Sequence, residues 1–348
     1  MDYNRTVEKI RYLARGENLC DNDLYELLCR HGCYYLLARS SYYHERIKPI
    51  KYANTLVLDD RYRHIKSFLE KISDLPYAHI KGVPLAKRIY GNPAYRVSND
   101  VDFLVKKTIS NVVSSFLISD NFIQGEQLDD TVITYTRERV VYHKAFTHQM
   151  APFIKKTESK LCQYICVDIN YDIMWGECDF KINTEDFILH SEITNLYRIP
   201  VKQLLPEWEF IALCMHHYKD MNSIYLLVNR GLCLSHFCDI YYYILNVRPD
   251  KELICKISQE HRISEYVYYC IYYAYEIFSD DILIPYLKAL ISPKSIQLLT
   301  LYGLNNSERS KWTIPFFERL FDSEFRYNFY RILSPDQKNK ITINNKYM

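Results

Sequence analysis

Lys81-Gly82-Val83-Pro84-Leu85-Ala86, followed a few residues later by Arg96-Val97-Ser98-Asn99-Asp100-Val101-Asp102-Phe103-Leu104-Val105, is the stretch from which the chain is best read. Its first half predicts a turn that opens a helix, with Pro84 suited to the first helical turn. Its second half predicts a strand. Strand side chains alternate faces, so Asp100 and Asp102 share one face while Val101, Phe103 and Val105 point into a core. Two carboxylates held side by side repel unless a divalent metal or a shared proton lies between them. A helix start favours an anion through its free N–H groups and dipole. An anion site next to a cation site is the layout of phosphoryl-transfer chemistry.

An acid pair two residues apart also occurs on many solvated strands, so the flanks carry the argument. Val101, Phe103, Leu104 and Val105 make this a core strand, where an unneutralised acid pair is costly. A later strand, expected within Leu161–Ile173, places Ile165, Val167, Ile169 and Tyr171 on one face and Tyr164, Cys166, Asp168, Asn170 and Asp172 on the other. Asp168 is thus available to approach the pair. Two magnesium ions about 3.5–4 Å apart need shared carboxylates plus phosphate oxygens, and each keeps several waters. Asp100 and Asp102 would hold the ion nearer the nucleotide, and all three aspartates the second; manganese is the alternative metal. Asp168 is also placed to accept the proton of an attacking hydroxyl.

Outward from this stretch the fold class reads as α+β. Helices are expected over Val7–Ser40 (two, the second capped by Asp21-Asn22-Asp23) and Asp59–Ser73. A strand at Tyr77–Ile80 follows Pro76. A helix over Ile109–Ile118 and a strand start at Phe122-Ile123 come next. Thr131–Arg137 and Val140–Phe146, rich in β-branched and aromatic residues, predict a hairpin. After Pro206 the periodicity is helical to about Leu290. The expected organisation is an N-terminal helical segment (1–75), a mixed core (76–200), a helical acceptor-binding domain (201–337) and a polar, frayed tail (338–348).

The 348 residues and a 48% hydrophobic share suffice for a sizeable core, and a net charge of +2 implies no strong field for nucleic acid or an acidic membrane. The 11 cysteines contain no Cys-x-x-Cys and no close pairing of a secreted framework, which predicts reduced thiols. The first residues lack the apolar stretch of a signal peptide, and no long apolar run predicts a membrane span. Together these predict a cytoplasmic protein.

The run KGVPLAKRIYGNPAYRVSNDVDFLV resembles the bacterial family known as uncharacterised nucleotidyltransferases, in the DNA polymerase β-like nucleotidyltransferase superfamily. The residues that carry the likeness are Lys81, Gly82, Tyr90, Pro93, Arg96, Asp100 and Asp102. Leu205-Pro206-Glu207, then His216 or His217, then Asp239 resemble the family's helical half more loosely, and together the likeness spans roughly residues 75–245. The resemblance implies a polymerase β-like core, divalent metal, ATP or another NTP as substrate, and transfer of NMP. It does not name the acceptor. Most superfamily members carry Gly-Ser where this chain has Lys81-Gly82, which makes Lys81 a substitute cationic phosphate ligand. The family's Asp-hydrophobic-His is here Asp168-Ile169-Asn170, so no histidine stands at that position.

Other residues have a plain reading beside a functional one. Arg96 is expected either to contact phosphate or to form a salt bridge that orients Asp100. Lys87 and Arg88 read as a solvated helix face or as further nucleotide contacts. His216 and His217 lie about 100° apart on a helix, so the two are not expected to share one metal. Asp239, between apolar neighbours, reads as an anchor that meets a cation. The clusters Tyr241-Tyr242-Tyr243 and Tyr268-Tyr269, Tyr272-Tyr273 read as core, with stacking on a base or acceptor as the alternative. The functional classes that follow are a magnesium-dependent nucleotidyltransferase acting on a small-molecule or peptide hydroxyl, a toxin-type enzyme modifying tRNA or protein, and a non-catalytic nucleotide-binding protein.

Overall fold

The computed structural model describes residues 2–347 apart from Val97 and Gly176. Four helices, α1 (Tyr3–Ala14), α2 (Asn22–Arg30), α3 (Tyr34–Ala38) and α4 (Ser41–Ile72), precede the first strand. Asp21 caps α2, its side chain accepting from the Leu24 N–H. α4 is far longer than the expected Asp59–Ser73. Pro49 lies inside it on the exposed side, where the carbonyl that proline leaves unpaired is open to solvent rather than packed in the core.

The strands β1 (Tyr77–His79), β2 (Asp100–Val105), β3 (Ile123–Leu128), β4 (Thr131–Thr134), β5 (Phe153–Lys156), β6 (Tyr164–Asn170), β7 (Ser191–Leu196) and β8 (Ile199–Leu204) form one mixed sheet in the order β4-β3-β5-β6-β2-β1-β8-β7. β2 runs parallel to β6, with Asp102 opposite Asp168 and Asp100 opposite Cys166. α5 (Gly82–Tyr90) joins β1 to β2 and α6 (Ser110–Ser119) follows β2. One face of the sheet, carrying Val101, Phe103, Val105, Val167 and Ile169, packs against Phe68, Leu69 and Ile72 of α4 and Val113 and Leu117 of α6. The opposite face carries the aspartates, as the alternation requires.

The expected hairpin is corrected. β4 pairs with β3 rather than with Val140–Phe146, and α7 (Arg137–Phe146) is a helix. The Thr136 side chain accepts from the Arg139 N–H and Glu138 sits in the first turn, so capping and charge outweigh the strand propensity of Val140 and Val141.

The second half is helical as expected. α8 (Thr184–Leu189), α9 (Pro206–Asn222), α10 (Ile224–Asn229), α11 (Leu234–Val247), α12 (Lys251–Glu260) and α13 (Ser264–Phe278) are followed by the helices α14 (Ile284–Leu290), α15 (Pro293–Leu298), α16 (Phe316–Phe321), α17 (Phe325–Ile332) and α18 (Pro335–Tyr347). Tyr241, Tyr242, Tyr243, Tyr268, Tyr269 and Tyr273 are buried in this core and Tyr272 is partly buried against it, on the packing side of the alternatives drawn for them. The frayed tail is also corrected. Ile341 and Asn344 of α18 are buried, Tyr142 donates to Asn344 Oδ1, and Lys340 pairs with Glu177 and Glu308. Among the described residues no helix is long and apolar enough to cross a membrane.

Phe103 is fully buried, with ring centroids 5.5 Å from Phe68, 5.8 Å from Tyr77 and 4.3 Å from His79. Phe103→Ala opens a cavity under the acid strand and is expected to lower unfolding free energy by about 3–5 kcal/mol, read from urea denaturation.

Candidate active site

The carboxylate face of β2 and β6 floors a cleft of ≈ 680 Å³. Its walls come from the start of α5, the Ser98-Asn99 loop, the Thr147–Pro152 segment with His143 of α7, Trp175, and His216, Lys219 and Asp220 of α9. Oxygens of Asp100, Asp102 and Asp168 lie within 4.8 Å of one another. The in-register pairing of Asp102 with Asp168 puts them on one face, and the two-residue spacing adds Asp100.

Burial, then the charges of Asp102 and Asp100, push the Asp168 carboxyl well above the ordinary range. Asp102 is raised as well, by burial and by Asp100, against the pull of Lys81. Lys81 Nζ lies 2.7 Å from Asp102 Oδ1, and Asn170 donates to the same oxygen at 3.3 Å. The cluster therefore draws a cation to itself, and its all-oxygen donor set suits a hard divalent ion such as magnesium. Lys81, expected to face phosphate, is an ion-pair partner of the acid strand here.

Gly82 opens α5 with φ +69°, a conformation glycine adopts freely, and a side chain there would also meet Ser98 Oγ at 3.5 Å. Ser98 in turn donates to the carbonyl and to Oδ1 of Asp100 at 2.8 and 3.0 Å. Arg61 of α4 donates to the Ser98 carbonyl and fixes that loop.

Arg96 lines the cleft, but its ion pair is with Asp239, Nε to Oδ2 at 2.9 Å, rather than with Asp100. Asp239 also accepts from the Tyr90 hydroxyl at 2.6 Å and lies 3.2 Å from His217 Nε2, so it is an anchor, as its apolar surroundings suggested. Lys87 and Arg88 do not line the cleft. Lys87 donates to the Asn195 carbonyl, and Arg88 binds Glu209, Glu192 and the Leu204 carbonyl. Lys87 ties α5 to β7, and Arg88 ties it to β7, β8 and α9.

His216 and His217 differ from expectation. Despite their angular separation, ligand atoms of His216, His217 and Asp220 fall within 4.8 Å of one another, because the i, i+4 carboxylate meets His216 Nε2 at 3.3 Å. Asp220 lies 3.7 Å from His236 Nε2 as well. Burial, reinforced by Lys81 and Lys219, holds His216 well below the usual imidazole range.

Several lining residues escaped the sequence reading: Ser98, His148, Gln149, Trp175, Lys219 and Arg230. Lys219 is almost fully buried, and burial lowers its ammonium to about 8. A signal existed for it. His216-His217-Tyr218-Lys219-Asp220 is a polar run inside an otherwise apolar helix, which implies a polar cavity beside it.

A family model described as "Uncharacterised nucleotidyltransferase" matches residues 18–279. The chain belongs to that family. The match takes in the sheet, the carboxylate cluster and the helices through α13, and it makes the protein a transferase of the nucleotidyl class, which implies a divalent metal and a nucleoside triphosphate. No curated protein and no solved structure matches the chain.

Asp239 yields a prediction. Burial opposes its charge, yet Arg96, His217 and Tyr90 hold the carboxyl far below its ordinary value. A lowered folded value means stability that is complete above the unfolded pKa, about 4, and is lost as pH falls toward the folded one. Asp239→Asn leaves Arg96 buried without its counter-charge and is expected to cost about 3–5 kcal/mol at pH 7. Paired denaturant melts of wild type and variant should show that gap narrowing as pH drops from 5 to 3.

Proposed function

We propose that this protein transfers the NMP group of a nucleoside triphosphate, AMP foremost, to a hydroxyl of a small molecule or peptide. The observation that carries this reading is the convergence of Asp100, Asp102 and Asp168 beside the N-terminus of α5, in a member of a nucleotidyltransferase family. Asp100 and Asp102 would hold one magnesium ion, and the three aspartates together a second. Magnesium bound there supplies Lewis-acid stabilisation of phosphate charge, worth several kcal/mol.

The chain's own groups then divide the work. The Gly82 N–H and the positive end of α5 bind phosphate oxygens. Lys81, once released from Asp102, together with Arg96 and Lys219, neutralises the triphosphate. Ser98 orients the Asp100 carboxylate, and Asn170 that of Asp102. The Asp168 carboxylate takes the proton of the acceptor hydroxyl. That oxygen forms its bond to the α-phosphorus as the bond to pyrophosphate breaks. Lys87 and Arg88 serve by holding α5 in place.

Incubation of the pure protein with α-labelled ATP, CTP, GTP or UTP, magnesium and cell extract should label an acceptor. Asp102→Asn is expected to reduce transfer by on the order of a hundredfold or more while thermal melting shows an intact fold. Absence of any Asp102-dependent label would overturn the reading. Label on RNA would move the acceptor to the toxin-type class.

A further inference from the structure

We infer that His216, His217 and Asp220 of α9 form a second metal site, separate from the three aspartates and suited to a borderline transition ion such as zinc. The inference goes beyond nucleotidyl transfer and does not depend on it.

Asp220 is the centre of the cluster. His216 Nε2 lies 3.3 Å and His236 Nε2, from α11, 3.7 Å from its Oδ2, while Lys219 Nζ lies 3.7 Å from its Oδ1. All three distances exceed the about 2.7–2.9 Å of a charge-assisted hydrogen bond, yet none leaves room for a water molecule in between. The spacing is that of neighbouring donors around one ion. Bonds of about 2.0–2.1 Å to nitrogen and oxygen in a tetrahedron place donor atoms roughly 3.3 Å apart, the separation of His216 Nε2 and Asp220 Oδ2.

His217 supplies the third ligand, with a ring nitrogen within 4.8 Å of the other two donor atoms. Its Nε2 meets Asp239 Oδ2 at 3.2 Å, which leaves Nδ1, buried and without a partner, for the ion. A carboxylate that takes one imidazole N–H, and so leaves the other nitrogen its lone pair, is the usual outer support of a metal-bound histidine. The burial of Nδ1 agrees with an ion in the wall rather than a ligand in the open cleft, because a metal sits about 2 Å from its donor, closer than any water molecule approaches. Lys219 gives Asp220 similar support, holding Oδ1 and leaving Oδ2 to the ion. His216 and Asp220 both line the cleft, so the fourth coordination position faces it, open to water or to an atom of a bound substrate.

The donor set selects the ion. Magnesium takes oxygen ligands and is held by charge, whereas two of the three donors here are imidazoles and the nearby Lys219 ammonium repels an ion held by charge alone. Zinc bonds well to imidazole nitrogen and is content with two histidines and one carboxylate. The cleft thus offers an all-oxygen cluster on its floor and a mixed nitrogen–oxygen cluster on its α9 wall.

The test uses the full chain, free of any tag, stripped of metal and held in excess magnesium so that the aspartates are filled. Zinc affinity is read by competition with a chromophoric chelator, and cobalt(II) is the spectroscopic probe. One tight zinc ion per chain is expected, with a cobalt spectrum of a four-coordinate nitrogen–oxygen site free of thiolate charge transfer. His216→Gln and Asp220→Asn are each expected to lower zinc affinity by at least about a hundredfold with an unchanged circular dichroism spectrum, and Asp102→Asn to retain it.

Failure of wild type to bind zinc overturns the inference, as do thiolate bands in the cobalt spectrum and zinc affinity that survives both α9 substitutions. Affinity that falls with Asp102→Asn but not with His216→Gln moves the ion to the aspartates and overturns it too. The cobalt spectrum of wild type decides the donor set even where a variant fails to fold. Each of these failures leaves nucleotidyl transfer standing, since that reading is tested by label transfer.

Discussion

The parallel register between β2 and β6 is the constraint on which the rest of the site depends. With Asp102 opposite Asp168, three carboxylates gather on one face and Val101, Phe103, Val167 and Ile169 fill the other. A slip of one residue in β6 would turn Asp168 into the apolar layer under α4 and α6 and bring Val167 to the cleft. The burial of that apolar layer therefore fixes the position of the charges. The charges repel, and the structure offsets this with the Lys81 ammonium and the Asn170 amide on Asp102. Chemistry and core packing are in this way two faces of the same pair of strands.

A second set of buried polar contacts sets the far wall of the cleft relative to its floor. Arg96 and Tyr90, on the two sides of the turn after α5, both end on Asp239 of α11. Arg88 ends on Glu209 of α9, which Gln203 and Tyr243 also bind. Buried ion pairs are weak evidence for net stability, but their geometry is strict. Here they lock α5, and with it the helix start beside the aspartates, against α11 and against α9, which carries Lys219 and Asp220.

Much of this was legible in the sequence because it depends on period. The alternation of acidic and apolar residues in Asp100–Val105 and in Tyr164–Asn170 names the strands, their faces and the three converging aspartates. The unbroken helical pattern after Pro206 names the second half. What was not legible depends on contacts between distant segments. Whether Lys81 meets a phosphate or Asp102 is settled by how β1 lies beside β2, which no local spacing encodes. Arg96 was expected to meet either a phosphate or Asp100, whereas its ion-pair partner lies 143 residues away. Val140 and Val141 suggested a strand until the Thr136 cap outweighed them. His143, Gln149, Trp175 and Lys219 reach the cleft from four separate segments, so no motif could gather them.

The Arg96–Asp239 and Arg88–Glu209 pairs bear on how the cleft admits its substrates. Each pair is largely withdrawn from water, and parting its members would strand two opposite charges in a poorly solvating interior. A hinged jaw, opening by a swing of the helical half away from the sheet, would have to break both at once. The base of the gorge is held by these pairs wherever α5 stays with the sheet. Entry and exit fall to side-chain rearrangement at its mouth, where the reacting molecules meet walls already set in place.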